Sequence, residues 1–174
     1  MAIKYLKKAI KTPSTDDHKS REAVQNILND IEKRREEGIK EITKKFDKYE
    51  GEIDVSKNKI DEAIKKVDQK TKDDVQYAHE RIKKFAEHQF KNLNNDFEVE
   101  LSKGLFDGQR LIPIDTVGCY IPGGRYAHIS SAVMAITPAK VAGVKTIICA
   151  IPPQDQNGDN AGIVYSANLC GCRL

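Results

Sequence analysis

No apolar run in these 174 residues approaches the ~20 needed to cross a bilayer. Met1 to Thr12 also lacks the apolar core and cleavage site of a secretory signal, so a cytoplasmic protein is the expectation. The four cysteines, Cys119, Cys149, Cys170 and Cys172, show no C-x-x-C spacing. They are expected as small buried hydrophobes, and a disulfide framework does not suit a reducing compartment. Of the four histidines, His79 and His88 lie nine residues apart, too far for the i, i+4 spacing of a two-histidine metal site, and with His18 they read as surface groups. Single-sign charge is lacking too. The first 110 residues hold 25 of the 29 basic and 23 of the 26 acidic side chains, interspersed as on solvated helix faces. Without aromatic interleaving, that pattern argues against a nucleic-acid footprint.

What is present begins with helices. Ile3, Leu6 and Ile10 suggest a short amphipathic segment. From about Ser20, the apolar positions Val24, Ile27, Leu28, Ile31, Ile39, Ile42 and Phe46 keep helical spacing, with Arg34, Arg35 and Gly38 interrupting. This predicts a helix that breaks near Gly38, resumes, and ends before Gly51. Ser56 reads as the cap of a helix carrying Ile60, Ala63, Ile64 and Val67. Another follows Asp68–Thr71 with Val75, Ala78, Ile82 and Phe85, closing near residues 92–95. Val99–Leu101 and Leu111–Ile114, separated by Gly104 and Asp107-Gly108, are predicted to pair as a hairpin.

The character of the chain changes at Val117–Pro153. An apolar run, Val117–Ile121, meets Pro122-Gly123-Gly124, a sharp turn where glycine permits close approach to the backbone. Ser130 to Ile136 reads as a short helix. Thr137-Pro138 then reads as the cap and first residue of a second, stopped by Gly143 and joined nearly end to end with the first. Thr146–Ile151, apolar without alternation, predicts a strand buried on both faces of a parallel sheet. A short helix, Ile163–Leu169, stops at Gly171, after which only three residues remain and the sheet looks unfinished. The fold class is therefore α/β: a mainly helical segment over 1–98, followed over 99–174 by an incomplete Rossmann-like parallel βαβ unit of nucleotide-binding type. The turn is not the G-x-G-x-x-G fingerprint, and no acidic residue stands where a ribose partner is expected.

The residues V-G-x-Y-x-P-G-G, then S-x-x-x-M, then P-A-K-V-A-G-V-K and a strand ending in P-P, resemble the first half of the histidinol dehydrogenase family. Lys45-Phe46-Asp47, Val55-Ser56, Glu80-Arg81-Ile82, Phe85 and His88-Gln89 fall in that family's order, and Ile163–Gly171 resembles its next helix, so the similarity spans roughly Ser20 to Gly171. The resemblance implies oxidation of L-histidinol through the aldehyde to L-histidine, with NAD as hydride acceptor, a zinc-bound substrate and a homodimeric working state. It also implies that the tyrosine of the motif, Tyr120 here, contacts the nicotinamide cofactor. Pro122 and Phe46 are carried over with it, while Gly123 and Gly124 are candidates through the need for close backbone approach. The family's zinc ligands, a glutamine, two histidines and an aspartate, and its glutamate and histidine acid/base pair, lie beyond the point where this sequence stops. Hence no catalytic residue and no metal ligand is assigned within the chain, which is expected to be an incomplete copy, inactive alone and with an exposed apolar sheet edge.

Some alternatives stay open. Tyr120 could be a core tyrosine with a satisfied hydroxyl, and Arg125 either a partner for an anion or a surface arginine. His128, just after the glycine turn, is the histidine best placed to face a substrate, although nothing brings a carboxylate to it. Arg125-Tyr126-Ala127-His128 and Tyr5-Leu6-Lys7 look more like paralogues in the family, one branch of which oxidises 2,3-dihydroxypropane-1-sulfonate. A reading from another class makes the helices a protein-interaction module, but they lack a sustained heptad repeat.

Overall fold

A computed structural model describes residues 18–93, 96–123, 126–154 and 160–174. It divides into two compact units, Met1–Phe46 and Asp47–Leu174.

In the first unit, α1 (His18–Arg34) and α2 (Glu36–Phe46) form a helical pair. The break between them falls at Arg35, which takes φ +54°, and not at Gly38 as the sequence pattern suggests. Gly38 sits inside α2 and is buried, because a Cβ there would lie 3.3 Å from Ile31 Cα and 3.4 Å from the Asp30 carbonyl oxygen. Glycine serves here for close helix approach and not as a stop. Arg34 ties the two helices, bonding Asp30 of α1 and Glu41 of α2 at 2.6 Å each.

The second unit opens with α3 (Lys57–Lys66), capped as expected by Ser56, whose Oγ accepts the Lys59 N–H at 3.4 Å. α4 (Gln69–Leu93) starts at Asp68, which accepts from the Thr71 N–H at 2.9 Å and the Thr71 hydroxyl at 2.7 Å. A hairpin follows, but its strands are β1 (Phe97–Ser102) and β2 (Leu105–Gln109), so Leu111–Ile114 is not the returning strand. The turn is tighter than expected because Gly104 takes φ +80° and donates its N–H to the Glu100 carboxylate at 2.8 Å. Leu111 instead donates to Asp96 Oδ1 at 3.0 Å.

The α/β part consists of β3 (Thr116–Tyr120), α5 (Ile129–Val141), β4 (Thr146–Ala150) and α6 (Ala161–Cys170). β3 and β4 are parallel, paired in register from Thr116 with Thr146 to Tyr120 with Ala150. The expected pair of helices around Thr137-Pro138 is a single helix, with Pro138 inside α5. Proline there removes one backbone bond. Ala132, Val133, Ile136 and Thr137 are all buried, and this tertiary packing holds the helix through the interruption. Thr137 is no cap: its hydroxyl donates to Cys170 Sγ at 3.5 Å. Gly143 does terminate α5, at φ +86°, with its N–H on the Lys140 carbonyl at 3.1 Å and that of Val144 on Ala139 at 3.2 Å, the double bond pattern of a Schellman stop. α6 is capped by Asn160, whose Oδ1 accepts from Gly162 and Ile163, and it ends at Gly171 with φ +79°.

Helix α5 packs on α4, α6 and both parallel strands. The core between them holds Cys119, Ile121, Ala132, Val133, Ile136, Ile147, Cys149, Ile163 and Ala167. β4 is buried on one face only: Ile147 and Cys149 point into the core, while Thr146, Ile148 and Ala150 are exposed, contrary to the two-faced burial its composition suggests. Beyond α6, Arg173 runs beside β4, donating its N–H to the Ile147 carbonyl at 2.8 Å and accepting from Cys149 N at 2.7 Å, the first parallel bridge of a further strand position.

Candidate functional site

The C-terminal ends of parallel strands are where α/β sheets bind ligands, since the following turns and helix N-termini present backbone donors there. In this chain the end of β3 carries Tyr120, followed by Ile121, Pro122 and Gly123. Period-two alternation sends Cys119 and Ile121 into the core and Tyr120 to the opposite face, where the residue is 68% exposed. Tyr120 is therefore not a core tyrosine. Its neighbours on that face are Gly118, whose missing side chain faces open space, and the exposed Ile148 and Ala150 of β4. The result is a shallow apolar surface with a phenol at its upper end. The sequence signal for Gly118 and Ile148 was an isolated glycine inside a strand, which marks a place where another group can approach the backbone.

Pro122 and Gly123 lie next to Tyr120 and are exposed. At Gly123 the close approach is made by the chain itself: a Cβ would sit 2.4 Å from Cγ of Pro152, at the end of β4. Gly124 and Arg125 lie outside the described residues. His128 directly precedes α5 without a side-chain capping bond and is half-buried. Phe46 closes the first unit, exposed at the edge of a hollow of about 330 Å³ between α1 and α2, with Lys45 Nζ 5.4 Å from its ring centre. His18 and His88 are exposed, while burial, helped by the Lys83 charge, pushes the half-buried His79 below its ordinary value. Among the described residues no three His, Cys, Asp or Glu side chains are grouped to hold a metal ion, and no helix is long and apolar enough to cross a membrane.

The parallel strands β3 and β4 with helix α5 between them define an α/β unit whose first strand ends in an exposed tyrosine. The histidinol dehydrogenase family model matches residues 10–173, and the chain belongs to that family, one of dehydrogenases. It is 61% identical over 171 residues to a histidinol dehydrogenase homolog of Pelagibacter ubique, covering 98% of this chain and 40% of that protein. Over the same number of residues it is 45% identical to the sulfopropanediol 3-dehydrogenase of Ruegeria pomeroyi, covering 39% of it. Among solved structures, histidinol dehydrogenase from Elizabethkingia anophelis superposes with a TM-score of 0.84 at 31% identity, over 92% of this chain and 37% of that one. The chain thus spans about 40% of the length of the relatives it matches.

Proposed function

We propose that this chain forms the N-terminal, cofactor-facing part of an NAD-dependent alcohol dehydrogenase of the histidinol dehydrogenase type, soluble in the cytoplasm and dimeric in its working form. The observation that carries the reading is the exposed Tyr120 at the carboxyl end of a parallel strand, beside the empty Gly118 position and ahead of Pro122-Gly123. A flat aromatic ring on an open apolar face can lie against a nicotinamide, which when bound takes up the hydride. Tyr120, Pro122 and Gly123 are the described residues that would hold it. No zinc ligand, acid or base is assigned among the described residues, which hold no group of three metal-binding side chains. The chain alone is accordingly expected to bind NAD without turning over an alcohol.

A sulfonated diol as substrate is the second reading, supported by 45% identity over 171 residues to the sulfopropanediol enzyme, against 42% over 144 residues to the histidinol dehydrogenase of Methanococcus maripaludis. The test of the main reading is calorimetric titration of the chain with NAD and NADH, beside Tyr120→Ala. We expect saturable binding that weakens about tenfold in the variant, the equivalent of ~1.4 kcal/mol, with an unchanged melting curve because the ring is largely exposed. Binding that is absent, or that Tyr120→Ala leaves untouched, would refute the cofactor-facing role.

A further inference from the structure

Helix α4 packs on α5 and buries Val75 and Ala86. From Tyr77 onward its outer side is exposed and carries Tyr77, Arg81, Lys84, Phe85, His88 and Lys91, whose steps of three and four place them along one face of the helix. The Arg81 guanidinium lies over the Tyr77 ring, 3.0 Å from its centre, and donates to the Tyr77 carbonyl at 3.2 Å. Glu80 and Glu87 flank this face, Glu80 accepting from the Gln76 amide at 2.9 Å and Glu87 lying 4.0 Å from Lys83 Nζ. The face itself is aromatic and basic.

The β1–β2 hairpin is its converse. Every residue of both strands is exposed, and a two-stranded ribbon standing alone is only marginally stable in water. Opposed residues share a face, so the pairs Glu98 with Gly108 and Glu100 with Phe106 make one side acidic, with a single aromatic ring. Phe97, Val99 and Leu101 alternate to the other side, an apolar row that would pack on any apolar surface. The acidic side is the one that can select a partner. The hairpin of the same molecule leaves the α4 face uncovered, so a hairpin that matches it comes from a second copy.

We propose that the acidic side of the β1–β2 hairpin docks on the Tyr77–Lys91 face of α4 in a second copy of the chain, with Glu98 and Glu100 against its cations and Phe106 against Phe85. This rests on the dimeric reading above and names the surface that it uses. A two-fold axis makes the contact twice, each copy giving its hairpin and receiving the other's. Glutamates facing cations steer the approach and fix the register, and burial of the Phe85 and Phe106 rings supplies the apolar part of the attraction.

The test is sedimentation velocity of the folded chain at low salt, where we expect a dimer that loosens as salt rises. Lys84→Glu/Lys91→Glu sets acid against acid. Glu98→Lys/Glu100→Gln sets base against base, the glutamine keeping an acceptor for the Gly104 N–H. Each variant alone is expected to dimerise about tenfold more weakly or worse, with unchanged far-UV ellipticity because all four side chains are exposed. Mixed in equal amounts, the two variants should regain the native dimer, since the acidic helix face then meets the basic hairpin and the native face meets the native hairpin. A dimer that both variants leave intact overturns this surface and spares the dimeric reading. A native chain that stays monomeric overturns both, and variants that remain monomeric when mixed overturn the docking.

Discussion

Gly123→Ala tests whether the turn after β3 is held by contact with the end of β4. The added methyl would stand 2.4 Å from Pro152 Cγ and 3.3 Å from its Cδ. Carbon atoms prefer separations of about 3.5–4.0 Å, so the turn or the proline must move by roughly 1 Å. A proline ring is closed onto its own backbone and cannot rotate aside. The displacement therefore passes to the strand ends, where Ile121 N donates to the Ala150 carbonyl at 2.9 Å. Overpacking of this kind costs about 1–3 kcal/mol. Urea unfolding followed by far-UV ellipticity should show the lower midpoint, and hydrogen exchange at the Ile121 amide should quicken. Pro152→Ala removes the ring carbons that clash, so the double variant Gly123→Ala/Pro152→Ala should lose less than the two single variants added together. A Gly123→Ala protein within about 0.5 kcal/mol of the native one, the margin for ordinary surface changes, would refute the contact. So would strictly additive losses.

Asn160→Ala removes the acceptor that caps Gly162 and Ile163 and should lower stability by about 0.5–2 kcal/mol in urea titration, with Asn160→Asp recovering most of it. Ile136→Ala opens a cavity at a side chain with no exposed surface and should cost about 2–5 kcal/mol by the same measurement. Asp68 is held below the ordinary aspartate range by the Thr71 N–H and hydroxyl. Its contribution to the start of α4 is thus present above the ordinary aspartate value and fades as pH falls through the depressed one. Carbon-13 titration of its carboxyl should show a midpoint below that of the unfolded chain, and Thr71→Ala should bring it closer to that value.

How much was legible turns on which interactions are local. Ser56 before α3, Gly143 after α5 and Gly171 after α6 act through backbone groups one to five residues away, and each stands where the sequence implies. Thr137-Pro138 misleads for the complementary reason. The dipeptide has the composition of a helix start, yet Thr137 is 1% exposed with its hydroxyl on Cys170 Sγ, a partner 33 residues away. Burial of Ile136 and Thr137 against distant elements overrides the local preference. Gly38 carries the same ambiguity, because a glycine that ends a helix and one that admits another helix look alike until Ile31 is seen 3.3 Å from the absent methyl.

Strand β4 shows the limit most sharply for the candidate site. Thr-Ile-Ile-Cys-Ala offers two apolar rows, and a row of apolar side chains says only that its burial would be favourable. Helix α5 covers the row of Ile147 and Cys149, while the row of Ile148 and Ala150 stays open beside Tyr120. The motif around Tyr120 identifies the residue that could meet a cofactor. Its exposure depends on what packs against the second face, which the strand's own residues do not encode. For that reason the 68% exposure of Tyr120, and not the motif alone, is the observation on which the NAD titration stands.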